Sequence, residues 1–400
     1  FKGQLMTLVL ILCVYTLIYV GISAVQIAFL KKERAKKAVI LDEEAYKEAA
    51  SVGIENEKFK LYSQIYSFIL YSLWLIFGFV WLKELIIQNN SIFENTVFLL
   101  AFLIINMLLS LPLSIYESFV KDKKHGFSTI SAGLFIKDTL KSLILLIIFG
   151  FLLVYALLFC YEFLGKLWWL AAFGVAFVAI LIANVIYPTL IAPMFNKMQK
   201  LDDEALQSEI SALMNKCGFN SNGIFVMDAS TRDKRLNAYF GGLFKSKRVV
   251  LFDTLLKALN TKQLLAVLGH ELGHFVHKDL IKGLFNGALM LFLLFFIFAH
   301  LPEFFYTQSH LDGVNAGVFA LLLIFSEVFS LIFSPFVNFM SRKNEFNADK
   351  HGAKMTSNND MREALLVLAK ENKVFVKTSK LYELFHLSHP SIDERLKALA

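Results

Sequence analysis

Residues 269–274 read Gly-His-Glu-Leu-Gly-His, a His-Glu-x-x-His arrangement. Residues four apart share a helix face, so His270 and His274 can offer imidazole nitrogens to one ion while Glu271 stands beside the open coordination position. Zinc suits such a set: a catalytic site keeps three protein ligands and a water whose pKa the metal lowers to about 7. A neighbouring carboxylate takes the water's proton during attack on a carbonyl and later passes a proton to the leaving amine. This is the chemistry of peptide hydrolysis, and it requires a third ligand.

Segment 341–349, Ser-Arg-Lys-Asn-Glu-Phe-Asn-Ala-Asp, supplies the candidates. If the apolar helix that ends near Met340 continues, Glu345 lies about 8 Å beyond it and Asp349 shares its face. Glu345 is the expected third ligand, and Asp349 the carboxylate expected to fix a histidine ring. His389, in Ser388-His389-Pro390, is either a donor to the oxyanion or a capping or packed histidine, and Arg395 could steady a nearby carboxylate. His277 falls off the ligand face. His125, His300, His310, His351 and His386 have no partner pattern and are read as structural, as are Asp138 and Glu162 at or within apolar runs. Cys13, Cys160 and Cys217 form an odd set without metal-ligand spacing, so neither a disulfide framework nor a cysteine metal site follows.

The elements that position these residues belong to a membrane protein. Hydrophobic residues make up 56% of the chain, charged residues only 18%, and mean hydropathy is +0.57, far from the balance of a soluble domain. Apolar runs at about 4–30, 62–82, 96–117, 142–164, 167–189, 280–300 and 316–340 predict seven spans. The second, with Trp74 and Trp81, and the fifth, broken near Asn184, Pro188 and Pro193, are the weaker two. The first run is too long for a signal-peptide core and is expected to be retained, and Phe1 in place of Met suggests that a few residues precede it. The net charge of +7 excludes nucleic-acid binding as its explanation, because no basic stripe with interleaved aromatics accompanies it. Lysines instead cluster after the first run, at Lys31, Lys32, Lys36 and Lys37, and between the third and fourth, at Lys121, Lys123, Lys124, Lys137 and Lys141. Segment 301–315 carries no Lys or Arg. This asymmetry puts the N-terminus outside, the C-terminus in the cytosol and the histidine segment on the cytosolic side.

Four regions follow: 1–190, a membrane region of five helices and cytosolic loops; 191–279, a cytosolic segment with a small sheet and the His-Glu-x-x-His helix; 280–340, a transmembrane hairpin; and 341–400, a cytosolic segment carrying the third ligand. Segment 31–61 is expected to be a helix at the membrane surface. Segment 191–279 is expected to hold an amphipathic helix at 202–216, strands at 224–227, 237–240 and 248–252 with a basic turn at 245–247, a short helix at 253–259, and the histidine helix capped by Asn260 or Thr261. One continuous helical rise from His274 to Leu280 would put the metal about 9 Å from the sixth span. The fold class is thus mainly α, polytopic, with a cytosolic α+β zinc-metalloprotease part. A transporter is disfavoured because transport sites lie near the bilayer centre, whereas these ligands fall beyond the spans.

The combination of His270-Glu271-Leu272-Gly273-His274, Asn344-Glu345-Phe346-Asn347-Ala348-Asp349, Ser388-His389-Pro390 and Asn237-Ala238-Tyr239-Phe240-Gly241 resembles the type I CaaX prenyl endopeptidases, integral-membrane zinc metalloproteases of the gluzincin class. The resemblance covers essentially the whole chain. It implies a helical barrel around a water-filled chamber, one zinc ion on His270, His274 and Glu345, and Glu271 as general base. It further implies Asp349 as proton donor or ring orienter, transition-state roles for His389 and Arg395, and Asn237, Ala238, Tyr239 and Phe240 as the edge along which a peptide adds as a strand. The implied reaction removes the last three residues of a prenylated Cys-a-a-X terminus. The implied partners are therefore the lipid bilayer and a membrane-tethered or lipidated protein. Lysine outnumbers arginine 33 to 7 and Phe reaches 41, a bias of AT-rich and often bacterial genomes. Membrane-protein quality control without a prenyl requirement is therefore the alternative substrate reading, and the membrane is that of a bacterial cell or the endoplasmic reticulum.

Overall fold

The computed structural model describes residues 5–242 and 247–400. Gln4, where the first apolar run begins, and most of the expected basic turn, including Lys245, lie outside the described residues. Among those described, seven helices are long and apolar enough to cross a membrane: Thr7–Arg34, Glu43–Ile86, Ile92–Lys124, Ala132–Phe163, Gly165–Phe195, Asp279–Ala299 and Gly317–Met355. In the fifth and sixth, only 6% of the most apolar stretch is buried against protein. Side chains such as Ile182, Ile281 and Phe285 point outward, which is stable only where lipid replaces water.

The weaker spans form because the breaks in their sequence are absorbed rather than avoided. The second helix widens into a five-residue turn at Trp74–Gly78 and resumes as Phe79–Ile86. The fifth does the same at Tyr187–Ile191, where Pro188 occupies the first turn. Trp74 faces inward, with its ring 4.9 Å from that of Phe102, and anchors an aromatic core at the end of the bundle away from the sheet. There Asn95 Oδ1 accepts a hydrogen bond from the Ala316 amide at 2.8 Å, securing the start of the seventh span.

Segment 31–61 differs from expectation. Glu43–Leu73 is one helix, capped by the Asp42 carboxylate on the Ala45 amide, and it runs straight into the second span. Its polar half is an extension of that span toward the sheet, with Tyr46, Ala49, Ala50 and Val52 buried. These small and apolar residues read as scattered only because most of the helix's other faces are charged.

Beyond the fifth span the chain forms a four-stranded sheet, β1 (Met198–Lys200), β2 (Ile224–Met227), β3 (Ala238–Gly241) and β4 (Arg248–Phe252), in spatial order β1-β2-β4-β3. Strand β2 is parallel to β4, and the other two pairs are antiparallel. Strand β1 has no apolar run, which is why sequence pattern does not mark it. Alternation puts Val249 and Leu251 against Leu264, Leu268 and Leu272 of the helix Thr261–Val276, while Val250 packs with Tyr239 and Met198 on the other face. That helix begins at a capping box in which the Asn260 side chain takes the Gln263 amide and Gln263 returns the bond.

The continuous rise assumed between His274 and Leu280 is also corrected. The histidine helix stops at Val276, Lys278 turns left-handed at φ 57°, and the sixth span starts afresh at Asp279. The polar triplet His277-Lys278-Asp279 supplies the break, and Asp279 sits favourably at the positive end of the new helix. The seventh span does continue, unbroken from Gly317 to Met355. Short helices at Glu303–Gln308 and Lys380–His386 were not expected.

The histidine helix and the C-terminal half of Gly317–Met355 touch through small residues. A Cβ on Gly273 would stand 2.9 Å from the Ala348 Cα, and one on Gly352 would stand 2.8 Å from the Ala266 carbonyl oxygen and 2.9 Å from the His270 amide nitrogen. Backbone cannot yield as a side-chain tip can, so Gly352→Ala is expected to destabilise by about 1–3 kcal/mol. Gly283→Ala, where an added Cβ meets nothing within 4 Å, is expected to be neutral or slightly stabilising. Thermal unfolding of both variants in detergent checks the pair.

Candidate active site

The seam of small residues brings the two helices close enough for side chains on each to converge. His270 Nε2 and His274 Nε2 are 3.3 Å apart. The Glu345 carboxylate lies 3.4 Å from the first through Oε2 and 3.3 Å from the second through Oε1. One ligand atom from each of the three falls within 4.8 Å of the others. The opposite ring nitrogens are engaged: His270 Nδ1 bonds to Asp349 Oδ1 at 2.8 Å, and His274 Nδ1 to Asp279 Oδ2 at 3.0 Å. A carboxylate accepting from Nδ1–H keeps the proton there and turns the Nε2 lone pair toward the centre.

The electrostatics call for a cation. Four carboxylates, from Glu271, Asp279, Glu345 and Asp349, surround the two imidazoles, against the positive side chains of Arg395 and Lys282, which bond Asp349 and Asp279 respectively. Two negative charges remain, the complement of one divalent ion. Glu345 Oε2 is buried without a hydrogen-bond partner, a costly state unless a cation completes it. Burial opposes charge on His274, yet Glu345 and Asp279 outweigh it and raise the imidazole to about 9. A proton is drawn to where a metal would otherwise sit. Two imidazoles and one carboxylate with an open side suit zinc among common ions.

Glu271, half-buried beside this cluster, accepts no hydrogen bond among the described residues. Burial raises its carboxyl above the ordinary value, against the pull of His270 and His274. A carboxylate so placed gives and takes protons readily. Asp349 is the opposite case. It lies beyond the apolar part of its helix, and although burial pushes it up, Arg395 and His270 hold it down at about 2. Arg395 donates to both Asp349 oxygens, at 2.8 Å from Nε and 2.6 Å from Nη2, and stays 3.7 Å from Glu345. His389 comes from the far side, 62% exposed, with Nε2 3.3 Å from Glu345 Oε1 and Ser388 Oγ 3.0 Å from Nδ1. The structure thus gathers His270, His274, Glu271, Glu345, Asp349, His389 and Arg395 at one point.

Strand β3 is a sheet edge. The Phe252 amide bonds to the Asn237 carbonyl, so in antiparallel alternation Ala238 and Phe240 turn their backbone groups away from β4, toward any chain that adds there. Asn237 itself precedes the strand, and its side-chain oxygen accepts the Ala238 amide at 2.9 Å.

Asp279 is the residue that sequence reasoning missed. Its signal was an acid one turn beyond His274 at the start of an apolar run, hidden by the assumption of one continuous helix. The excluded histidines have local roles: His351 bonds the Gly269 carbonyl, His125 the Glu55 carboxylate and His300 the Phe296 carbonyl. Asp138, at a helix start, forms a two-pronged ion pair with Arg232.

Comparison with known proteins gives this geometry a family. Residues 26–197 match the family model described as the CAAX prenyl protease N-terminal region with five membrane helices, and residues 200–400 match peptidase family M48. CAAX prenyl protease 1 of Saccharomyces cerevisiae is 31% identical, with 90% of this chain and 86% of that protein covered. The CAAX prenyl protease 1 homolog of Homo sapiens is 30% identical over 90% and 87%. The crystal structure of S. mikatae Ste24p superposes with a TM-score of 0.91 at 26% identity, covering 99% of each chain. Two adjoining family models that together span nearly all of 26–400, and relatives at that identity over most of their length, leave one conclusion: this multi-span membrane protein belongs to the CAAX prenyl protease branch of peptidase family M48 and is a metalloprotease.

Proposed function

We propose that the chain is a zinc endopeptidase that trims the C-terminus of lipidated CaaX-type proteins at the cytosolic face of its membrane. The convergence of His270, His274 and Glu345 on one point beside Glu271 carries the reading. One zinc ion held by those three would supply Lewis acidity, lowering the pKa of water to about 7 and polarising a carbonyl. Glu271 takes the attacking water's proton and returns it to the leaving amine. His389 stands on the opposite, open side, where a developing oxyanion needs a donor. Asp349 and Asp279 hold the histidine rings, and Arg395 fixes Asp349. The peptide lies along β3, bound through the outward carbonyl of Ala238 and the outward backbone groups of Phe240, with Asn237, which holds the Ala238 amide, and Tyr239 flanking them.

The side of the membrane is supported by packing. The lysine-rich segment 121–130 contacts the sheet region and the C-terminal segment directly: the Thr129 amide bonds the Arg232 carbonyl, and Lys373 Nζ bonds the His125 carbonyl. Segments rich in lysine mark the cytosolic side. The lipid is supported by an apolar cavity of about 1050 Å³ between the fourth and fifth spans, which reaches Tyr239, Gly241 and Gly242 at the end of β3.

Cleavage of matched farnesylated and unmodified peptides by the purified protein tests the reading. Activity should vanish on chelation and return with zinc, and Glu271→Gln should lower kcat by about 10²–10⁴-fold while retaining bound metal. Preference for the farnesylated peptide is the expected result; equal cleavage of both would instead favour quality-control proteolysis. Asp349→Asn should weaken zinc affinity by about 10–100-fold, read by competition with a chelating dye. Asp349 also predicts an acid limit. Its folded pKa lies below the unfolded value of about 3.9, so its contribution to stability is present above pH 4 and is lost as pH falls toward 2. Unfolding midpoints of wild type and Asp349→Asn should therefore converge over that interval.

A further inference from the structure

A second cavity of about 600 Å³, more polar than the first, opens at the other end of the β3 edge. Arg235, two residues before Asn237, lines it, as does Asn372, whose side chain bonds both the amide and the carbonyl of Leu236 at 2.7 and 3.1 Å. Leu387 closes it toward the metal ligands, since the Leu387 carbonyl accepts from Arg342, one turn before Glu345 on the same helix. The cavity therefore begins where β3 begins and adjoins the candidate active site.

Its walls carry five cations, from Lys60, Lys121, Arg235, Lys373 and Lys377, against three carboxylates, from Glu57, Glu117 and Asp122. The other acids that contact these cations, Asp233, Glu48 and Glu33, do not line it, so along the walls themselves cations outnumber carboxylates, each cation already sharing an ion pair. Arg235 spends one nitrogen on Asp233 and one on Asp122, and its guanidinium has donors left over.

We propose that this cavity receives the free C-terminal carboxylate of the substrate, with Arg235 as its contact. The two ends of β3 differ in chemistry, apolar at Gly241-Gly242 and cationic at Arg235. A peptide with a lipid upstream and a carboxylate downstream fits them in one direction only, antiparallel to β3. The length agrees. Three extended residues reach about 10 Å, and Arg235 lies three positions before Ala238, the first outward-facing position. A carboxylate read at that distance favours, at an otherwise sequence-tolerant backbone site, the bond three residues from the chain end.

The proposal rests on the protease reading above, and its test separates the two. Full-length protein is given one lipidated peptide as free acid, as C-terminal amide, and extended by two glycines. The amide and the extended peptide should show kcat/KM at least about 10-fold lower than the acid, mainly through KM. Arg235→Gln should lower the acid to the level of the amide while changing the amide less than about 3-fold, and Arg235→Lys should restore part of the difference. Lys377→Met, at a partly exposed position, should narrow the same acid–amide gap while its buried partner Glu33 keeps its ion pair with Lys36. Equal cleavage of acid and amide by the wild type, or an equal loss on both substrates in Arg235→Gln, overturns the carboxylate site alone. Absence of cleavage of every peptide overturns the protease reading together with it.

Discussion

The close approach of two helices at Gly269, Gly273, Ala348 and Gly352 is the contact on which the rest depends. With a Cβ on each of the three glycines, or a side chain larger than alanine's at 348, the backbones would stand apart, and the Glu345 and Asp349 side chains would fall short of the histidines. Closeness of this kind is usual in membranes, where small residues replace the hydrophobic drive between helices. Here it is used just outside the apolar zone, where the long helix has left its span and become a wall of the polar site. The sheet holds the same histidine helix from the other side through Leu264, Leu268 and Leu272. The histidines are thus clamped between a soluble-type core and a membrane-type seam.

Charge makes the second layer of the design. The pairs Asp349–His270 and Asp279–His274 fix two rings, and Arg395 keeps Asp349 ionised in a place where burial alone would neutralise it. Desolvated groups of this kind are expensive singly and tolerable only as a closed set. Removing any member leaves another unpaired, so the site behaves as one unit rather than as separable residues.

Much of this was legible in the sequence. The i, i+4 histidines, the seven apolar runs and the lysine bias each follow from a periodicity or a composition that survives without tertiary context. Glu345 and Asp349 were readable because their helix continues without a break. Asp279 was not, because its position depends on the left-handed turn at Lys278, and no pattern marks a lysine for that conformation. Strand β1 was invisible for a related reason: Met198, Gln199 and Lys200 gain strand geometry only by pairing with β2. The polar half of the second helix was misassigned because its buried face is made of alanine and valine, too slight a signal beside its charges.

The Lys278 turn gives the two arms of the candidate site unequal mechanics. Glu345 is borne on a helix that runs unbroken from the other end of the seventh span, Pro335 included, so a lean of that span reaches the carboxylate without an intervening loop. The sixth span meets the histidine helix through a single pivot bridged by the Asp279–His274 bond, and its lean is absorbed in the torsions of that pivot. Bilayer thickness therefore acts on the candidate site from one side, through the Glu345 carboxylate, while the imidazole pair stays referenced to the sheet.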